Sequence, residues 1–393
     1  MKKPAKIILG LIILALIGGY LFAFHVLPGK MDGKMNFVTP HDPYPVSQDA
    51  KDLHKTLRLA DLHADTLLWK RDPSVRHSRG RTDFPRLREG GFALQVFSTV
   101  TAVPEDLNET ENSLDTDQMV KLTFLQKWPK RTHHSIYERA LYQAQRLHKA
   151  EAASNGNFVI AKTKADLANA LAARETNADI LIGVLAMEGA HPLEGKLGNI
   201  DKLYNAGFRM MGLQHFFDNE LGGSLHGVTK SGLTPFGKKA VRAALAKGMM
   251  IDVAHSSVKV VEDVLALTDA PIVISHTGIV TLCNNPKRNI PIELMQEIAG
   301  RGGLIGVGYW EMAVCDPSPD GIAKMLIHGA ETLGVEHIAL GSDFDGAVKT
   351  NIDATELNAV TDALLRQGMS EADIAKVMGE NQIAYFLKHL PGE

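Results

Sequence analysis

An α/β fold built as a (β/α)8 barrel of the TIM type, preceded by an N-terminal transmembrane or signal segment, is the architecture this 393-residue sequence predicts. Three observations predict it. Short apolar runs recur eight times along the chain, helical patterns separate them, and a lysine-flanked apolar stretch stands apart at the front. The runs are continuous in hydrophobicity, as parallel strands covered on both faces require, and strict alternation is missing.

The front element comes first. Lys2, Lys3 and Lys6 precede an uncharged run from Ile7 to Phe24. That length is enough to span a hydrocarbon core, and lysines on the near side keep the N-terminus in the cytoplasm. No small-residue cleavage site follows, and no lipid-modified cysteine is available, because the only cysteines are Cys283 and Cys315. Residues 1–26 are therefore expected to be an uncleaved anchor holding the rest in a periplasm or extracellular space, with cleavage and secretion as the runner-up. In such a compartment the two cysteines have the option of pairing, and two unlinked thiols remain equally open. From Leu27 to about Ala50 the chain is rich in Pro, Gly, Asp and Lys without a usable apolar period, so residues 27–50 read as a linker.

Residues 51–393 carry the barrel. Its strands are expected at Leu57 to Leu62, Phe92 to Thr99, Ile180 to Ala186, Arg209 to Leu213, Met249 to Ala254, Pro271 to Ser275, Gly303 to Val307 and His337 to Gly341. Between them, Thr234 caps a helix whose first turn holds Pro235, and Gly248 ends it. Helical units follow at Ser256 to Leu267, Pro291 to Ala299, Gly321 to Leu333, Thr355 to Leu365 and Glu371 to Leu387. Only the stretch between the second and third strands is oversized. Its apolar set Ile136, Ala140, Leu141, Ala144 and Leu147 describes a helical excursion packed on the barrel.

Composition sets outer limits on function. With 45% hydrophobic and 22% charged residues and a net charge of -3, the chain has an ordinary globular core and no basic stripe for nucleic acid.

Barrel chemistry sits at the C-terminal ends of the strands. There the chain places His63 and Asp65, Glu188, His215, His255, His276, and Asp343. A His-x-Asp at a strand end can grip one cation with a nitrogen and an oxygen. His255 and His276, from adjacent strands, supply two imidazoles for a second, and Glu188 has the two oxygens needed to bridge a pair. Water held between two such ions becomes a nucleophile near neutral pH, and Asp343 is placed to take its proton and pass it to a leaving amine. Each residue also has an ordinary use. His63 and Asp65 can bond backbone, a single histidine can be a satisfied core residue, and Glu188 can be paired with an arginine. A metal pair accounts for all five groups at once, which decides the expectation. His77, His133, His134, His148 and His389 lie in helical or polar contexts and read as surface residues.

These residues stand within longer strings: Asp61-Leu62-His63-Ala64-Asp65, Glu188-Gly189-Ala190-His191, Leu213-Gln214-His215, Ile251-Asp252-Val253-Ala254-His255, Ile274-Ser275-His276, Lys287-Arg288-Asn289-Ile290-Pro291 and Gly341-Ser342-Asp343-Phe344-Asp345-Gly346. In this order and spacing the chain resembles the membrane dipeptidase (renal dipeptidase) family of zinc peptidases. The resemblance runs from about Leu57 to the C-terminal helix. It implies two Zn2+ per chain, with His63 and Asp65 on one, His255 and His276 on the other, and Glu188 and a hydroxide bridging them. It further implies that His215 binds substrate and stabilises the oxyanion, that Arg288 pairs with the substrate carboxylate, and that Asp343 contacts the amine or moves the proton. A carboxylate held by arginine and an amine held by an acid explain why such a site takes dipeptides and rejects longer chains. Asn219 and Asn289 are further polar candidates, while Cys283 has no assignment. The family's dimers leave a homodimer open here. Two other functions remain in view: a related amidohydrolase acting on a lactam, an N-acyl amino acid or a phosphoester, and a membrane-tethered peptide-binding protein without catalysis.

Overall fold

The computed structural model describes residues 3–392, so Met1 and Lys2 of the expected anchor, and Glu393, lie outside the described residues. The strands are β1 (Leu59–Ala64), β2 (Phe92–Phe97), β3 (Phe158–Ile160), β4 (Leu181–Met187), β5 (Phe208–Gly212), β6 (Met250–Asp252), β7 (Val273–Thr277), β8 (Leu304–Val307) and β9 (Ile338–Leu340). They form one sheet in the order β2-β1-β9-β8-β7-β6-β5-β4-β3, and an additional pairing of β2 with β4 closes eight of them into a barrel. All pairings in the sheet are parallel. This is the expected (β/α)8 fold.

The ninth strand was not expected. β3 pairs only with the first residues of β4, Leu181 to Gly183, while β5 pairs with β4 from Leu185 onward. Three residues are too few for a periodic signal, so only the long-range partner makes Phe158–Ile160 a strand. Otherwise every residue of the barrel strands is buried, which accounts for their unbroken apolar composition.

Helix α1 (Lys3–Leu21) passes through a π-helical turn (Phe22–Val26) into α2 (Leu27–Met35). Among the described residues, Lys6–Met35 is the one helical stretch long and apolar enough to cross a membrane, and its most apolar part is not buried at all. Leu27–Met35, within the stretch whose lack of an apolar period reads as a linker, is helical. One of its polar residues is used inward: Asp32, only 1% exposed, pairs with Arg71 Nε at 2.9 Å and Arg79 Nε at 2.8 Å. Those partners are far along the chain, so local patterning had no means of showing them.

Next come α3 (Gln48–Thr56) and α4 (Phe84–Glu89), and between β2 and β3 lie α5 (Gln118–Leu125) and α6 (Ile136–Ala153). Ala140, Ala144 and Leu147 of α6 join the core around the barrel, as their spacing predicts. Thr234 caps the helix Pro235–Ala246 by accepting from Gly237 N at 3.0 Å. The C-terminal helix Asn381–His389 closes the end of the barrel where the strands begin. There Gln382 Nε2 donates to Ala60 O at 2.8 Å, and Phe386 packs with Leu62, Val184 and Met210. Chemistry is thereby left to the opposite end. Cys283 and Cys315 are joined in a disulfide, their Cα atoms 5.6 Å apart.

Candidate functional site

At the C-terminal ends of the strands, His63 is the penultimate residue of β1, Glu188 follows β4, His215 follows β5, His255 follows β6, His276 lies in β7 and Asp343 follows β9. The fold brings them together with Asp65 and Arg288, each at most 6% exposed. Glycines make room for this convergence. A Cβ on Gly306 or Gly341 would collide with the Ser275 carbonyl oxygen, so β8 and β9 can approach β7 this closely only without side chains there. His255 and Asp343 adopt left-handed backbone, with φ of 62° and 57°. For residues with a Cβ that conformation costs about 1–3 kcal/mol, which the surrounding packing must offset.

The cluster centres on Glu188. Its Oε1 lies 3.1 Å from His255 Nε2, 3.5 Å from His276 Nε2 and 3.6 Å from His63 Nε2, while Oε2 lies 3.5 Å from His215 Nε2. His63 Nε2 also stands 3.5 Å from Asp65 Oδ1 and 3.9 Å from Asp343 Oδ1. Three overlapping sets have ligand atoms within 4.8 Å of one another: His63, Glu188 and His276; Glu188, His215 and His255; and His63, Asp65 and Asp343.

Whether these groups suit a metal follows from their bonding. His63 Nε2, Asp65 Oδ1 and Glu188 Oε2 are buried and lack any hydrogen-bond partner among the described residues. The Nε2 atoms of His255 and His276 lie 3.0 Å apart, and both stand within 3.5 Å of the same Glu188 oxygen. Unsatisfied lone pairs from nitrogen and carboxylate, buried and aimed at one another, are what a cation would satisfy. The donor set fits.

Electrostatics point the same way. From the protein groups alone, burial and the neighbouring Asp65 raise the Glu188 carboxyl well above its usual range, and burial lifts Asp343 to about 7. Burial opposes charge on His63 too, but Glu188 and Asp65 outweigh it and raise its pKa to about 10. Burial, followed by Arg288, lowers His255, and burial, followed by His63 and Arg288, lowers His276, so both stay neutral and able to ligate. The carboxylates thus seek positive charge, and two imidazoles offer free lone pairs.

Several contributors were not foreseen from the sequence. Ser275 Oγ stands 2.8 Å from His276 Nδ1 and 3.4 Å from His63 Nδ1, and donates to Asp252 Oδ2 at 2.6 Å. Asp61 accepts from the backbone N of His63 at 3.0 Å and of Ser342 at 2.7 Å. Asp61 and Asp252 each precede a strand-end histidine by two or three residues, which was the available signal. Arg288 Nη2 donates to the His276 carbonyl, and its guanidinium lies over Trp310. Asn289 holds backbone together, accepting from Gly278 N at 2.8 Å and donating to Cys283 O at 2.9 Å. Asn219 similarly donates to Leu213 O at 2.7 Å. His77, His133, His134, His148 and His389 stay outside the cluster, exposed or half-buried.

The metal-type cluster forms one end of a cavity of about 580 Å³ that reaches out between α2 and α5. Such an arrangement can bind a small molecule beside cations while largely excluding water.

Comparison with known proteins gives three kinds of likeness. The model of the membrane dipeptidase family (peptidase family M19) matches residues 47–386. Among curated proteins, dipeptidase verJ of Clonostachys rogersoniana is 28% identical over 208 residues, which are 51% of this chain and 53% of that protein. The chain therefore spans about half the length of that relative. Among solved structures, the metallopeptidase dipeptidase AC matches with TM-score 0.70 and 25% identity, covering 86% of this chain and 100% of that one. A metallopeptidase from Rhodobacter sphaeroides, liganded with a phosphinate mimic of the dipeptide L-Ala-D-Ala, matches with TM-score 0.69 and 25% identity, covering 85% and 99%.

Proposed function

The chain belongs to the membrane dipeptidase family, and on that premise we propose that it is a binuclear zinc dipeptidase. The observation that carries the reading is the meeting of three imidazole Nε2 atoms, from His63, His255 and His276, within 3.6 Å of a single buried Glu188 oxygen. In this reading His63 and Asp65 hold one zinc, His255 and His276 the other, and Glu188 joins them. Metal ions so placed supply an activated water and polarise the scissile carbonyl.

The remaining groups act on substrate. Arg288, the guanidinium buried beside the cluster, receives the substrate carboxylate, and two charge-assisted hydrogen bonds orient it. Asp343 faces the same cavity from the loop after β9. As a carboxylate at the edge of the cluster it can take a proton from the attacking water and release it to the leaving amine. His215, kept neutral chiefly by burial, presents Nε2 toward the Glu188 side and donates to the oxygen on which negative charge develops. Holding both ends of a dipeptide converts binding energy into alignment of the amide. The mimic complex of the Rhodobacter sphaeroides relative supports a dipeptide-sized ligand at such a site.

For location, we propose residues 1–26 as an uncleaved anchor and 51–393 as the catalytic domain outside the cytoplasm, with 27–50 joining them. The exposed apolar helix and the Cys283–Cys315 disulfide, a bond favoured in oxidising compartments, support this.

The test uses full-length protein in detergent, loaded with zinc. It should release free amino acids from dipeptides, contain two zinc per chain, and lose activity on chelation. Undiminished turnover by protein shown to be metal-free would refute the reading.

A further inference from the structure

α2 is a wall of the substrate cavity. Met31 and Met35 line the same space whose inner end is formed by Glu188, His255, Arg288 and Asp343. Met119 and Leu122 of α5 line it too, and Met31 packs against the cluster these residues make with Leu68 and Trp69.

This wall is fixed in place. Arg71, bound to Asp32 of α2, also pairs with Asp345 at 2.6 Å, two residues beyond Asp343. Asn36 Oδ1 accepts from Ala347 N at 3.1 Å, and Thr39 N donates to Thr350 O at 2.9 Å. The loop that presents Asp343 and the helix that presents Met31 and Met35 are therefore tied together by these contacts. Farther out, Phe24 packs on Phe124 of α5 with ring centroids 5.2 Å apart, and Lys70 Nζ donates to Phe24 O at 3.0 Å.

A dipeptide's two charged ends are met at the inner end of the cavity, by Arg288 and Asp343. What remains between α2 and α5 is mostly apolar, and its charged members, Glu109, Lys121, Glu311 and Lys349, are exposed at the rim. Methionine side chains are flexible and polarizable, so they adapt to apolar groups of varied shape.

Resting on the dipeptidase reading, we propose that the enzyme prefers dipeptides carrying a bulky apolar side chain, which lies against Met31 and Met35 of the membrane-proximal helix. The specificity is then set by a segment outside the barrel.

The experiment compares leucyl-phenylalanine with alanyl-alanine on full-length, zinc-loaded protein. A buried apolar side chain should favour the bulky substrate in kcat/KM by about tenfold or more. The double variant Met31→Ser/Met35→Ser should reduce that ratio about tenfold, while Met31→Leu/Met35→Leu should preserve it. Binding of the phosphinate analogues of the two dipeptides, measured by calorimetry, should follow the same ranking. A wild-type ratio near one, or a ratio that the serine variant leaves unmoved, overturns the proposal. Absence of hydrolysis of both dipeptides overturns the dipeptidase reading instead, and the calorimetric ranking then decides the role of the wall by itself.

Discussion

The guanidinium of Arg288 lies over the indole of Trp310, 5.1 Å from its ring centroid, and donates to the carbonyl of His276. One residue thus touches both a metal-type strand end and the open cavity. Its Nε is buried without a partner among the described residues, leaving a donor for a ligand. Arg288→Ala should raise KM for dipeptides roughly 100-fold, the loss of about 3 kcal/mol of charge-assisted hydrogen bonding. Arg288→Lys should not restore it, because an ammonium lacks the planar fork. Steady-state kinetics check both, and an unchanged KM would remove Arg288 from substrate binding.

Ser275 links two imidazoles to Asp252. Its hydroxyl contacts Nδ1 of His276 and His63 and passes its own proton toward Asp252. Groups in that position orient ligands, and their loss typically weakens metal binding about 10–100-fold. Ser275→Ala should show that loss in a zinc-chelator competition, with the melting temperature of the fully loaded protein little changed. Wild-type affinity in the variant would show that the imidazoles are oriented by other contacts.

The disulfide encloses the segment that carries Arg288. Cys283 and Cys315 are 32 residues apart in sequence, and a loop of that size is worth roughly 3.5 kcal/mol in unfolded-state entropy. Cys283→Ala/Cys315→Ala should therefore lower Tm by several degrees, measured calorimetrically. A Tm equal to that of wild type would mean that packing, not the covalent link, holds these loops.

Acid sensitivity is expected from His191. Burial keeps it neutral and pushes its pKa down to about 3. An unfolded chain binds that proton near pH 6.5, well before the folded one does. The stabilising contribution is thus fully present above about pH 6.5 and is lost as pH falls toward 3, at up to about 1.4 kcal/mol per pH unit. His191→Gln should flatten the dependence of Tm on pH between 7 and 4.5. Parallel profiles for variant and wild type would contradict this.

Much of this was legible in the chain itself. Continuous apolar runs bounded by turns depend on local patterning, and they located the eight barrel strands; His63, Asp65, Glu188, His255, His276 and Asp343 stood out because strand ends are where a barrel exposes chemistry. Arg288 and His215 were different. His215 was marked by its place at a strand end but its role was not, and Arg288 was marked by neither periodicity nor spacing; the role of the one and the choice of the other came through family resemblance.

The rest depended on contacts between distant residues, which no local pattern encodes. The Phe158–Ile160 strand exists because β4 offers it an edge. α2 is fixed by Asp32 meeting Arg71 and Arg79, so a Pro- and Gly-containing stretch that reads as a linker becomes part of the cavity wall. Sequence alone determined the order of elements and the kinds of ligand at their ends, since each is written within a few residues. Only the tertiary structure decided that three imidazoles share one carboxylate oxygen, that two cysteines pair, and that Met31 stands beside the site. Those are distances across the fold, set by how the barrel closes and by which buried charges find partners.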